Sequence, residues 1–103
     1  MIDIYEWSIR RALFRHCNFY SSYLIGYAPS CHKLEIVSIK QFYLNERLIY
    51  GKNTDKIYSL CGNSGLTDEA EEIWCDFKKI GRIIYEIDIT DKYDKSENEL
   101  THQ

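Results

Sequence analysis

Apolar positions change their spacing several times along the chain, and each change marks an element. Near the start, Ile9, Ala12, Leu13 and His16 follow the 0, 3, 4, 7 spacing of one helix face, while Arg11 and Arg15 lie one turn apart on another with Arg10 beside them. Asp3 and Glu6 sit three apart as a capping box with Asp3 as N-cap, and Ile2 and Trp7 occupy the hydrophobic-staple positions. The spacing therefore predicts a helix over 4–16 with a basic outer face.

After the polar break at 18–22 the pattern becomes β-like. The run Tyr23-Leu24-Ile25-Gly26-Tyr27-Ala28 is short and aromatic, and Pro29-Ser30 closes it as a turn. A longer β-prone run over 34–44 is broken at Asn45-Glu46, a tight two-residue connection to a strand at 47–50. The polar turn 51–55 leads to another strand over 56–61. Four consecutive strands with short links predict an antiparallel meander.

Gly62-Asn63-Ser64-Gly65 then ends the sheet pattern. Thr67 is placed to cap a second helix, whose Ala70, Ile73, Trp74, Phe77 and Ile80 make the clearest apolar stripe in the chain, and Gly81 suits the C′ position that terminates it. Ile83, Tyr85, Ile87 and Ile89 alternate with other residues in the manner of a half-buried strand returning to the sheet. The predicted fold is α+β, an about five-stranded, mainly antiparallel sheet with two helices in the order α-β-β-β-β-α-β. Residues 1–90 form one domain, and 91–103, charged and nearly free of apolar residues, are expected to be a mobile tail.

Size and charge narrow the functional classes. With 103 residues, 45% hydrophobic, the chain builds one modest core, so surface chemistry is expected and not a deep cofactor cavity. No run approaches the roughly 18 apolar residues of a membrane span, and the Ala12-Leu13-Phe14 cluster is too short for a signal-peptide core, which points to the cytoplasm. The net charge of −3 is unevenly spread: residues 1–50 carry six basic against four acidic groups, and 51–103 carry seven against twelve. Such a dipolar chain suits docking to a protein, or to itself, better than direct nucleic-acid binding.

Several constellations invite a chemical reading. His16-Cys17 and Cys31-His32 are two pairs of soft ligands, yet adjacent residues chelate one ion poorly and neither Cys61 nor Cys75 lies in a C-x2-C loop, so neither metal nor cofactor is expected. The four cysteines read as reduced, mostly buried thiols. A nucleophile at Cys31 or Cys17 would need His16 as its base, because Cys31 and His32 point to opposite faces of a strand. Glycines flanking the second helix start suggest a phosphate cradle, but Asp68, Glu69, Glu71 and Glu72 fill the first turn and repel anions. Glu86, Asp88, Asp91 and Asp94 match no calcium loop and are expected to form a solvated face beside Lys92 and Lys95. Nine tyrosines, mostly near strands, divide between core and exposed anchors for a partner.

Tyr23-Leu24-Ile25-Gly26, Ile57-Tyr58-Ser59-Leu60-Cys61-Gly62, and the Gly65-Leu66-Thr67 helix start with Ala70 and Trp74 resemble small uncharacterised accessory proteins of phages and prophages. That resemblance implies a host-interaction or anti-defence role of the anti-CRISPR type and carries no catalytic residue. The expectation is a non-catalytic inhibitor that binds a nucleic-acid-processing complex. Its contact residues are Asp68, Glu69, Glu71, Glu72 and Asp76, then Glu86, Asp88 and Asp91, with Tyr58 and Tyr85 as aromatic anchors. Two alternatives stand. One is a homodimeric regulatory or scaffold protein, joined through its basic first helix and acidic second helix or through an edge strand; the other is a small cysteine enzyme.

Overall fold

The computed structural model describes residues 1–16 and 20–94. The chain forms β1 (Ile2–Phe14), β2 (Tyr20–Ala28), β3 (Lys33–Tyr43), β4 (Leu48–Gly51), β5 (Ile57–Leu60), α1 (Asp68–Gly81), β6 (Ile83–Asp88) and α2 (Thr90–Asp94), with short 3₁₀ turns at Pro29–Cys31 and Leu44–Glu46. It is an α+β fold with a six-stranded mixed sheet and two helices, and the expected meander is present from β2 to β5.

The first element departs from expectation: 2–14 is a strand and not a helix. Its residues Ile4, Trp7, Ile9 and Ala12 are all fully buried, at spacings of three, two and three. Two causes produce this helix-like rhythm. Glu6 adopts a left-handed backbone (φ 50°) and the β1–β2 register shifts between Tyr5 and Ser8, so a bulge puts Ile4 and Trp7 on one face despite their odd separation. Beyond the bulge the strand is buried on both sides, with Trp7 and Ile9 facing one core and Ala12 facing the other. The apparent capping box and staple are thus strand residues.

β1 is the shared member of the sheet. It pairs antiparallel with β2 along most of its length, parallel with β5 through Ile2 to Ile4, and antiparallel with β6 through Arg10 to Phe14. Four successive antiparallel pairings run from β1 to β5, so the first and fifth strands point the same way and the ring β1-β2-β3-β4-β5 closes with a parallel pair. Every strand of this ring contributes to one cluster: Ile4, Trp7 and Ile9, then Leu24 and Ala28, Val37, Ile49, and Tyr58 with Leu60. Gly26 is required here because a Cβ would overlap Ile4 Cγ2 and lie 3.1 Å from Trp7 Cβ.

The second core lies on the outer face of β1, β2 and β3, where Ala12 and Ile25 pack against Trp74 of α1, flanked by Tyr23, Ile36, Phe77 and Ile83. Trp74 and Phe77 stack at 5.4 Å, and Tyr23 meets Phe77 edge-on at 5.3 Å. Thr67 caps α1 as predicted, its hydroxyl accepting from the Ala70 N–H at 3.1 Å. The helix ends differently, for Arg82 takes the left-handed position (φ 55°) and Gly81 remains helical. A side chain at Gly81 would meet Phe14 at 3.2 Å, so this glycine serves close approach of β1 and not the turn.

Three further expectations change. The stripe on α1 divides, since Ala70 and Trp74 are buried and Phe77 half-buried while Ile73 and Ile80 are 37% and 84% exposed. Residues 91–94, expected to begin a mobile tail, belong with Thr90 to α2: Thr90 is buried and Tyr93 packs on Phe42 at 4.1 Å, beside the ring core. The remainder of the expected tail, 95–103, lies outside the described residues. Asn45-Glu46 lies in a 3₁₀ turn completed by Arg47 in the left-handed region (φ 53°), in place of a two-residue hairpin.

Gly26→Ala tests the ring core. A methyl group here has no space to enter, so a loss of about 3 kcal/mol in urea unfolding is expected, and a loss below about 1 kcal/mol would contradict this packing.

Candidate functional site

A densely connected polar group is Arg10, which leaves β1 on the α1 side. Its side chain is 11% exposed and is held by three carboxylates: Glu71 Oε1 at 2.9 Å, Glu86 Oε2 at 3.4 Å and Asp88 Oδ2 at 3.5 Å. Arg10 Nε also donates to Ser8 Oγ at 2.8 Å. Glu86 in turn accepts from Trp74 Nε1 at 2.9 Å and from Lys78 Nζ. One guanidinium on β1 thereby joins α1 to β6.

Burial would by itself weaken the Arg10 proton, but the hydrogen bond to Glu71 and the charges of Asp88, Glu71 and Glu86 outweigh it and raise the pKa. The Glu86 carboxyl shows the mirror case. Partial burial pushes it upward, yet the hydrogen bonds from Lys78 and Trp74, with the charges of Lys78 and Arg10, hold it below its ordinary value of 4.5.

Behind Arg10 the polar chain continues inward. Ser8 and Thr90, the buried polar residues of the described core, share a hydrogen bond at 2.8 Å, and Thr90 Oγ1 accepts from the Ile9 N–H at 3.0 Å. Asp88 accepts from the Thr90 N–H at 2.9 Å and starts the turn into α2. These groups line a half-open cleft of about 390 Å³ together with Gly65, Leu66 and Asp91. Its cation is enclosed by carboxylates, so the cleft presents no free positive charge to an anion.

The structure sorts the predicted contact residues into two groups. Glu71, Glu86 and Asp88 belong to the Arg10 network, and Glu86 is not the solvated residue expected, because α1 and Arg10 cover that face of β6. Asp68, Glu69, Glu72 and Asp76 are exposed on α1, and Asp91 is exposed on α2. Tyr85 is 51% exposed and meets Tyr20 edge-on at 6.3 Å. Tyr58 is overturned as an anchor: at 1% exposure it fills the ring core, its hydroxyl 3.2 Å from Thr54 Oγ1. Asp94 is the last residue of α2.

The sequence assigned Ile73 and Ile80 to the core, and the structure instead leaves them on the outer face of α1 among these acids. Positions 69, 72, 73, 76 and 80 follow helical spacing down that face. Positions 70, 73, 74, 77 and 80 span no more than an ordinary core-facing stripe, so nothing in their spacing marks Ile73 and Ile80 as exposed.

The thiols do not behave as a buried set. Cys75 is exposed, Cys31 and Cys61 are half-buried and unbridged, and Cys17 lies outside the described residues. Cys31 packs on the ring core while His32 is exposed with a left-handed backbone (φ 54°), so the two do not converge. Among the described residues, no group of three or more His, Cys, Asp or Glu side chains is arranged to hold a metal ion, and no helix is long and apolar enough to cross a membrane. Comparisons with protein-family models, with curated proteins and with solved structures found no match.

The Arg10 network predicts a definite pH response. Because Glu86 has a folded pKa below its unfolded one, it stabilises the fold above the ordinary carboxylate range, and that contribution disappears as pH falls through the folded value. Glu86→Gln is therefore less stable than wild type at neutral pH, and the gap closes as acid titrates the wild-type carboxyl; a gap independent of pH contradicts the assignment. Arg10→Met, which leaves three carboxylates facing one another, costs about 2 kcal/mol in the same urea assay, less than a fully buried pair because the acids reach water.

Proposed function

We propose that the protein is a non-catalytic protein-binding module that docks the outer face of α1 onto a basic surface of its partner. The observation that carries this reading is the exposure of Ile73 within an acidic field of Glu69, Glu72 and Asp76, with Asp68 at the start of the same helix. An apolar side chain rimmed by one sign of charge suits a contact in which burial gives affinity and charge gives orientation and rate. The Arg10 network supports it by fixing α1 rigidly on the sheet, which lowers the entropy lost on docking.

The finer reading is an inhibitor of a host nucleic-acid-processing or defence complex, acting by occupying lysines and arginines that otherwise meet phosphates. The acidic face favours such a surface and disfavours direct nucleic-acid contact. A net charge of −3 is small for wholesale mimicry of a polyanion, so the apolar Ile73 supplies the specific part of the contact.

Affinity capture from a cell that encounters the protein tests this, with wild type and an Ile73→Ala/Glu72→Lys/Asp76→Lys variant as parallel baits. All three side chains are exposed, so folding stability changes by only about 0.5 kcal/mol per site. Wild type is expected to retain a stoichiometric protein complex that salt elutes, and the variant to lose it. Retention of the same complex by both baits, with the same salt dependence, overturns the proposal.

A further inference from the structure

Among the described residues, β6 is paired along one side only, its partner being β1. The Ile89 N–H donates to the Ile9 carbonyl at 2.9 Å, in the same register that pairs Arg11 with Ile87 and Leu13 with Tyr85. Antiparallel alternation then turns the backbone groups of 85 and 87 toward β1 and leaves those of Glu86 and Asp88 on the open side. A bulge and two acidic residues give this edge partial protection, but its apolar side chains stay open. No lysine or proline interrupts Ile83–Asp88, and its Ile84, Tyr85 and Ile87 are 61%, 51% and 41% exposed. A register shift opposite Leu13 and Phe14 makes Ile84 an extra residue, so the regular edge runs from Tyr85 onward.

We propose that β6 pairs antiparallel with β6 of a second copy of this chain. Charge selects that occupant. The strand is entered from a basic end, with Lys79 and Arg82 exposed, and left through one where Asp91 is exposed beside Lys92 and Asp88 is paired with Arg10. A two-fold axis near Glu86 brings Arg82 of each copy to the level of Thr90 and Asp91 of the other, so the two ends are complementary twice over. Glu86 at the centre does not repel its twin strongly, because Lys78 and Arg10 already neutralise it. A parallel arrangement would set like charges against each other at both ends. Tyr85, Ile87 and Tyr20 of each copy extend the contact on the face away from α1, which leaves the acidic face of that helix open.

Sedimentation equilibrium of the full chain tests the pairing. Wild type is expected to be a dimer that dissociates on dilution and more readily in high salt. Arg82→Glu sets like charges together at both ends and weakens the dimer at least about tenfold, and Arg82→Glu/Asp91→Lys restores it to within a few-fold, since the swapped pair is again complementary. Glu72→Lys/Asp76→Lys, on α1, leaves the dimer unchanged, which separates this surface from the partner-binding one. Wild type that is monomeric at every soluble concentration, a dimer indifferent to Arg82→Glu, or one broken by the α1 variant overturns the inference.

Discussion

Burial of β1 on both faces is the constraint on which the rest of the molecule depends. A strand that closes a ring with β2 and β5 and also carries β6 must present apolar side chains inward at Ile4, Trp7 and Ile9, and outward at Ala12. Two cores consequently share one wall, and a disturbance on either side of β1 reaches the other. The bulge at Glu6 makes this feasible, because it re-aims the strand between its parallel contact with β5 and its antiparallel contact with β6.

Polar groups on the same strand set the position of α1. Arg10 reaches from β1 to Glu71 on the helix and to Glu86 and Asp88 on β6, while Glu86 also fixes the indole of Trp74. The carboxylates that hold the fold together are thereby distinguished from those that face outward. The same contacts decide which side of α1 is covered, and so leave Ile73 and Ile80 beside Asp76 on the open side. The two proposed contacts lie on the surfaces that the shared strand leaves over: the outer side of α1 and the edge of β6 that is open among the described residues.

Much of the architecture was legible in the sequence, and where it failed the reason is local. The strands from β2 to β6 and the Thr67 cap were readable because turn residues and alternating side chains mark them directly. β1 was not, since a bulge plus two-sided burial gives three-residue spacings that imitate a helix. Tyr58 was misplaced for a related reason: strand periodicity tells which residues share a face, but only ring closure tells that the face is enclosed. On α1, helical periodicity could not separate Glu71, which pairs with Arg10, from the exposed Glu72, because the distinction depends on Arg10, sixty-one residues before Glu71.

The most direct measurement is residue-resolved NMR of the backbone, combining carbon secondary shifts with amide hydrogen exchange across 2–14. The account predicts extended shifts throughout, a break at Glu6, and exchange at Ile9 and Ala12 as slow as global unfolding, because their strand is covered on both faces. Helical shifts over 4–16, or rapid exchange at those two amides, would contradict it.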